Sequence, residues 1–238
     1  MHTLHNPPEN LTSTRSALHR LAMYVIAPVR HQATARFGLR STPGGHGTPE
    51  FGGRRVRVLG DELIDEVAGE ERRHVISSLQ AAAEFLGSVV DPETAAEHDS
   101  PPVGDMHAPL EVDAAASTFL GSWYEMAFGA LHTIAADPES VDASEAQLWP
   151  GHFDAAIEVG DEDHRGSYGA SPGDDSIDEP YLYLSVWWPD KISIDSSLPI
   201  WNAPNFVGAM LRLSEFDTEK DPVDVAVEFW RAHRDALG

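Results

Sequence analysis

The chain contains no cysteine, which removes disulfides, thiolate nucleophiles, iron–sulfur clusters and Cys-based zinc sites from consideration. Lysine is almost absent too: Lys191 and Lys220 are the only two, and the other basic residues are arginines. Sixteen basic residues stand against 39 acidic ones, a net charge of −23. A surface with that excess repels phosphate backbones and anionic lipid, so neither nucleic acid nor a membrane is an expected partner. No apolar run is long enough to span a bilayer; the longest near the front, residues 21–29, is broken by Pro28. Residues 1–10 are polar, hold Pro7 and Pro8, and lack the regions of a secretory signal. They read as a flexible N-terminus on a cytoplasmic protein.

The 238 residues are 42% hydrophobic and 8% aromatic, enough for a substantial core in a single domain spanning residues 1–238. Leu18, Leu21, Ala22 and Val25 share one side of a helix that Thr12 or Ser13 caps and Pro28 ends. Extended segments follow, with Gly60-Asp61 as a two-residue hairpin turn and residues 72–77 as a further strand. Residues 78–86 then form a short helix closed by Gly87. The acidic, proline-rich stretch 89–110 is a long loop and the best candidate for a boundary. Beyond it, apolar residues from Val112 to Ile134 recur at helical steps, with Trp123 and Met126 as core residues. Strands resume at 153–159, 166–170, 181–188 and 206–213. Asp221, Pro222 and Asp224 then start a closing helix.

Strands therefore arrive in adjacent runs rather than alternating with helices. That order predicts an α+β fold: one mostly antiparallel sheet of about 6–8 strands, with the long central helix and the C-terminal helix on its apolar face. Each half runs strands then a helix, without a sequence repeat behind the likeness.

Motifs of known chemistry do not survive inspection. Gly169-Ala170-Ser171-Pro172-Gly173 has the spacing of a hydrolase nucleophile elbow. The residue after the serine must lend a backbone N–H to the oxyanion, and Pro172 has none. The Gly-rich segment 43–49 lacks the Lys and Ser/Thr of a phosphate loop and reads as a mobile hairpin loop, a candidate rim for a pocket. The 12 histidines show no fixed ligand spacing, and pairs such as His98/Asp99 and Asp105/His107 lie in loops. No metal and no cofactor is expected.

The informative stretch is residues 152–159. As a strand it puts Phe153, Ala155, Ile157 and Val159 on one face and His152, Asp154, Ala156 and Glu158 on the other. Residues 179–188 divide likewise: Leu182, Leu184, Val186 and Trp188 face the core, whereas Glu179, Tyr181, Tyr183, Ser185 and Trp187 lie opposite. One side of the sheet thus collects aromatic and ionisable groups, the composition of a site for a small polar-organic ligand. The candidate site residues are His152, Asp154, Glu158, Ser171, Asp174, Glu179, Tyr181, Tyr183 and Trp187, with Asp154 beside His152 suited to tuning a proton transfer. No reaction follows from them. The alternative is a non-catalytic interaction or self-association module, monomer or homodimer, using Trp187, Trp201 and the proline-containing segment 198–204.

These same stretches carry a resemblance. Residues 149–159, the run Gly169 to Asp174, Glu179-Pro180-Tyr181-Leu182-Tyr183, Trp188-Pro189 and the early segment 38–43 resemble an uncharacterised bacterial family, a domain of unknown function. Phe153, Asp154, Pro172, Gly173, Glu179, Pro180 and Tyr183 match its pattern, while His152 and Asp174 stand where its members often carry smaller or neutral residues. The resemblance implies a location for a site and supplies no activity or cofactor.

Overall fold

A computed structural model describes residues 4, 6–98, 100–190 and 201–237. Residues 198–200 of the proline-containing segment, residues 1–3 and 5 of the N-terminus, and Asp99 lie outside the described residues. The class is α+β, but among the described residues the strands form two antiparallel sheets of five rather than one of six to eight. Two compact units follow: Asn6–Glu125 with Leu148–Phe153, and Met126–Gln147 with the chain from Asp154 onward. The 89–110 loop lies inside the first unit.

The N-terminal unit opens with α1 (Leu11–Leu21), whose Leu11, Leu18 and Leu21 are buried. Pro28 does not end the helix. A proline inside an α-helix lacks the N–H that the carbonyl four residues back requires, and its ring crowds that carbonyl. The chain answers with a wide π-helical turn over Ala22–Ile26, then resumes as α2 (Ala27–Thr34). The Tyr24 carbonyl accepts instead from the Asp91 N–H at 3.1 Å.

Strands β1 (Arg40–Thr42), β2 (Gly45–Gly47), β3 (Arg54–Leu59), β4 (Glu62–Val67) and β5 (Glu70–Val75) form a meander in chain order. Leu59 pairs with Glu62 across Gly60-Asp61, the expected two-residue turn. The Gly-rich segment is a hairpin but not a loose one: Gly45, His46 and Gly47 are buried strand residues. Register sets His46, Val58 and Leu63 in one row across the sheet, all buried. α3 (Leu79–Leu86) follows, capped by the Ser78 hydroxyl accepting from the Ala81 N–H at 3.1 Å and ended at Gly87. Among the described residues the 89–110 stretch holds only the short α4 (Pro92–Ala95).

α5 (Ala114–Ala135) gives its first half to the N-terminal unit and its second to the C-terminal one. Strands β6 (Gln147–Trp149), β7 (Asp154–Val159), β8 (Gly166–Ser171), β9 (Tyr181–Val186) and β10 (Gly208–Arg212) make the second meander. Its apolar face reads across the register as Ile157, Tyr168, Leu184 and Ala209, with Ala155, Ala170 and Leu182 beside them. Leu182 and Leu184 are wholly buried, as the alternation predicts. Burying such leucines contributes roughly 1.5–3 kcal/mol each. α6 (Pro222–Asp235) starts where Asp221 accepts from the Val223 N–H at 2.9 Å, and its Trp230 indole donates to the Tyr183 carbonyl at 2.9 Å.

Candidate functional site

The expected polar face exists, and cross-strand pairing assembles it. Ser171 opposes Tyr181, and the β7–β8 register extended by one residue adds Asp154 to that row. Ala156, Gly169, Tyr183 and Met210 form the next. A Cβ on Gly169 would lie 2.3 Å from the Tyr183 ring, so only glycine lets that ring lie across β8. The Tyr183 hydroxyl thereby reaches over the strand and donates to Asp154 Oδ2. Tyr181 donates to Asp174 Oδ2 at 2.7 Å. Asp174 also accepts from Ser176 N–H at 2.7 Å, its hydroxyl at 2.6 Å and Ile177 N–H at 2.9 Å.

Electrostatics follow from these bonds. Burial, then the nearby Asp154 charge and the hydrogen bond to it, push the Tyr183 phenol well above its ordinary value. Burial and the bond to Asp174 do the same for Tyr181. Burial works against the Asp174 carboxylate, but the bonds from Ser176 and Tyr181 outweigh it and hold the group below the usual range.

This face is covered. Ile177, Tyr181 and Met210 form a small buried cluster, with Tyr183 and Ala203 packed against it. Phe206 sets its edge on Tyr183 at 6.2 Å between ring centres. The Asn202 amide exchanges two hydrogen bonds with the Met210 backbone, at 2.8 and 3.0 Å, and so pins the covering segment.

The remaining candidates fall elsewhere. Glu158 receives Arg165 at 3.0 Å, and Arg165 lies over the Trp187 ring, whose indole donates to Ser167 at 2.8 Å. Glu179 accepts from Ser214 N–H and hydroxyl at 2.9 and 3.0 Å, tying β9 to the turn after β10. The Ser171 hydroxyl accepts from Gly173 N–H at 3.2 Å at the end of β8, not on an elbow. His152 is not on a strand: it is exposed in the turn before β7 and groups with the N-terminal unit, whereas Asp154 groups with the C-terminal one. Phe153 departs from expectation as well. It takes a left-handed backbone (φ 57°) in that turn, its carbonyl held by the Tyr124 hydroxyl at 2.7 Å. Its ring stacks on His19 at 5.3 Å and meets His46 edge-on at 5.1 Å.

An open concavity lies off the other, apolar face of the C-terminal sheet. It encloses about 300 Å3, walled by Val141, Val159, Tyr168 and Leu237 and rimmed by Glu139, Asp161, His164, Arg234 and Asp235. The rim charges are tied together, with carboxylates in excess. Arg234 reaches Asp137, Glu139 and Asp235 at 3.4, 2.7 and 3.1 Å, and Asp161 meets His164 Nδ1 at 3.0 Å. The β7–β8 turn that carries Asp161 and His164 depends on Gly160 (φ 119°), where a Cβ would sit 2.2 Å from the His164 carbonyl oxygen.

Tyr168 is only 1% exposed, yet its hydroxyl has no hydrogen-bond partner among the described residues. Burial raises its phenol to about 12, so it is a protonated donor at neutral pH. Tyr168 escaped the motif reading because no motif contains it. The usable signal was its parity: on β8 it alternates with Gly169 onto the apolar face, where a hydroxyl is out of place. Among the described residues no three His, Asp or Glu side chains converge as a metal site requires, and no helix is long and apolar enough to cross a membrane. In comparisons with known proteins the chain matches no family model, no curated protein and no solved structure.

Proposed function

We propose that the C-terminal unit binds a small, neutral polar-organic molecule in the cleft floored by Tyr168. The observation that carries this reading is the Tyr168 hydroxyl, on a side chain only 1% exposed that lines the cleft, with no protein acceptor among the described residues. A ligand acceptor there would add a hydrogen bond worth about 0.5–1.5 kcal/mol net. Val141, Val159 and Leu237 offer apolar wall to the ligand body. Asp161 holds the His164 ring through Nδ1 at 3.0 Å, which leaves Nε2 for a polar contact with a ligand. The carboxylate excess at the rim disfavours an anionic ligand, and about 300 Å3 suits a small metabolite. On this reading Asp154, Tyr183, Asp174 and Tyr181 shape the sheet from behind rather than touch the ligand.

Saturation-transfer NMR of the full chain with a library of neutral phenols, lactams and alcohols tests the proposal. Hits are expected whose affinity falls about ten-fold in Tyr168→Phe and is unchanged in Asp174→Asn. A library without hits, or hits indifferent to Tyr168→Phe, overturns it.

A further inference from the structure

The N-terminal unit has a cleft of its own, about 250 Å3, between Val29, Gln32 and Ala33 of α2, Phe51, Arg54 and the turn of Leu86 to Ser88. Behind it sits a carboxylate, Asp65, whose side chain is 1% exposed. Arg54 grips Asp65 with Nε at 2.7 Å and Nη2 at 3.2 Å, and Arg72 adds a second ion pair from β5. Two guanidinium groups on one carboxylate leave the cluster at +1, inside a chain of net charge −23. Arg54 Nη2 also donates to the Leu86 carbonyl at 2.9 Å, which offsets the negative end of α3 beside the cleft.

Three donors on two side chains remain unspent. Nε and Nη2 account for every hydrogen bond of Arg54 among the described residues, so both N–H groups of Nη1 lack a partner. The Ser88 hydroxyl is buried and also without a partner. Arg54 and Ser88 both line the cleft, and Val29, Phe51 and Ala33 supply its apolar wall. A guanidinium edge beside a hydroxyl is donor-only recognition for an anionic oxygen pair.

We propose that this cleft binds the carboxylate of a small organic acid, with Arg54 Nη1 and the Ser88 hydroxyl donating to its oxygens and its apolar body against Val29 and Phe51. Asp65 acts as a positioning residue that fixes the guanidinium plane. The site is independent of the Tyr168 cleft, so either can fail without the other.

The test titrates the full chain with sodium benzoate at constant ionic strength, following backbone amide shifts, with benzyl alcohol as the uncharged probe of similar shape. Saturable benzoate binding is expected, with shifts centred on Gly87 and Ser88 and little response to benzyl alcohol. Ser88→Ala should weaken it about five-fold, the loss of one hydrogen bond. Ala33→Trp, at an exposed helical position, should abolish it by filling the mouth while leaving the Asp65 cluster intact. Absence of saturable benzoate binding, equal binding of benzyl alcohol, or indifference to Ala33→Trp each overturns the proposal.

Discussion

On one face of the C-terminal sheet, Tyr181 and Tyr183 each donate to a carboxylate and pack with Ile177, Met210 and Phe206. On the other face, Tyr168 has no hydrogen-bond partner among the described residues and lines an open cleft. The first face is rich in the residue types that suggest a binding site, yet its two phenols are already bonded to its two carboxylates. The second is apolar apart from one hydroxyl, and that hydroxyl is unspent. Polar composition therefore marks a second small core here, and a hydroxyl left open to a cleft marks the place where a ligand can add a bond.

The largest expected effect extends this contrast to the N-terminal unit, where burial alone lowers His46 to about 3. His46 Nε2 is buried without a partner, and His19, lowered to about 4 mainly by burial, is likewise neutral in the folded chain. Histidines whose folded value is depressed contribute stability that is present above their unfolded value of about 6.5 and lost as pH falls towards the folded one. From pH 6 down to 5, stability should drop by up to about 1.4 kcal/mol per pH unit for each of the two, and the His19 share should fade towards pH 4. Urea titrations at several pH values measure that slope, and His46→Leu should remove one proton's share of it. An unchanged slope in that variant would show that His46 is not held neutral.

Next in size is Asp154→Asn. If Tyr183 and Asp154 are structural partners, the change should destabilise by about 1–3 kcal/mol in urea melts between pH 6 and 8. A variant as stable as the parent would break the claim that this face is a bonded core. Asp174→Asn should cost less, about 1 kcal/mol, because the aspartate is half-exposed and the amide oxygen keeps part of the turn. Since the Asp174 carboxyl is held below its ordinary value, its contribution should be present above about pH 4 and fade as pH falls further.

Local signals were legible. Ser78 and Gly87 bracket α3, Asp221-Pro222 starts α6, and the alternation in β7 and β9 puts Leu182 and Leu184 inside and Tyr183 opposite. Non-local decisions were not. Strand patterns do not say which edges stay unpaired, so ten strands closing into two meanders looked like one sheet. Pro28 read as a stop because relief by a π turn depends on Asp91 taking the freed Tyr24 carbonyl from far along the chain. The polar face was found residue by residue, but its closure by Ala203 and Phe206 was invisible, since covering segments leave no periodic trace. The cleft was missed for the same reason. Its walls come from the segments around Val141, Val159, Tyr168 and Leu237, which share no motif.

The most direct test compares two single-oxygen deletions on the same sheet, Tyr168→Phe and Tyr183→Phe, by equilibrium urea denaturation at pH 7. Removing the Tyr183 hydroxyl withdraws a donor from buried Asp154 and should cost about 1–3 kcal/mol. Removing the Tyr168 hydroxyl breaks no bond within the chain and should leave stability within about 0.5 kcal/mol of the parent, or slightly above it. A loss in Tyr168→Phe equal to that in Tyr183→Phe would mean that the Tyr168 hydroxyl already serves the fold, and the cleft would lose its claim as the binding site.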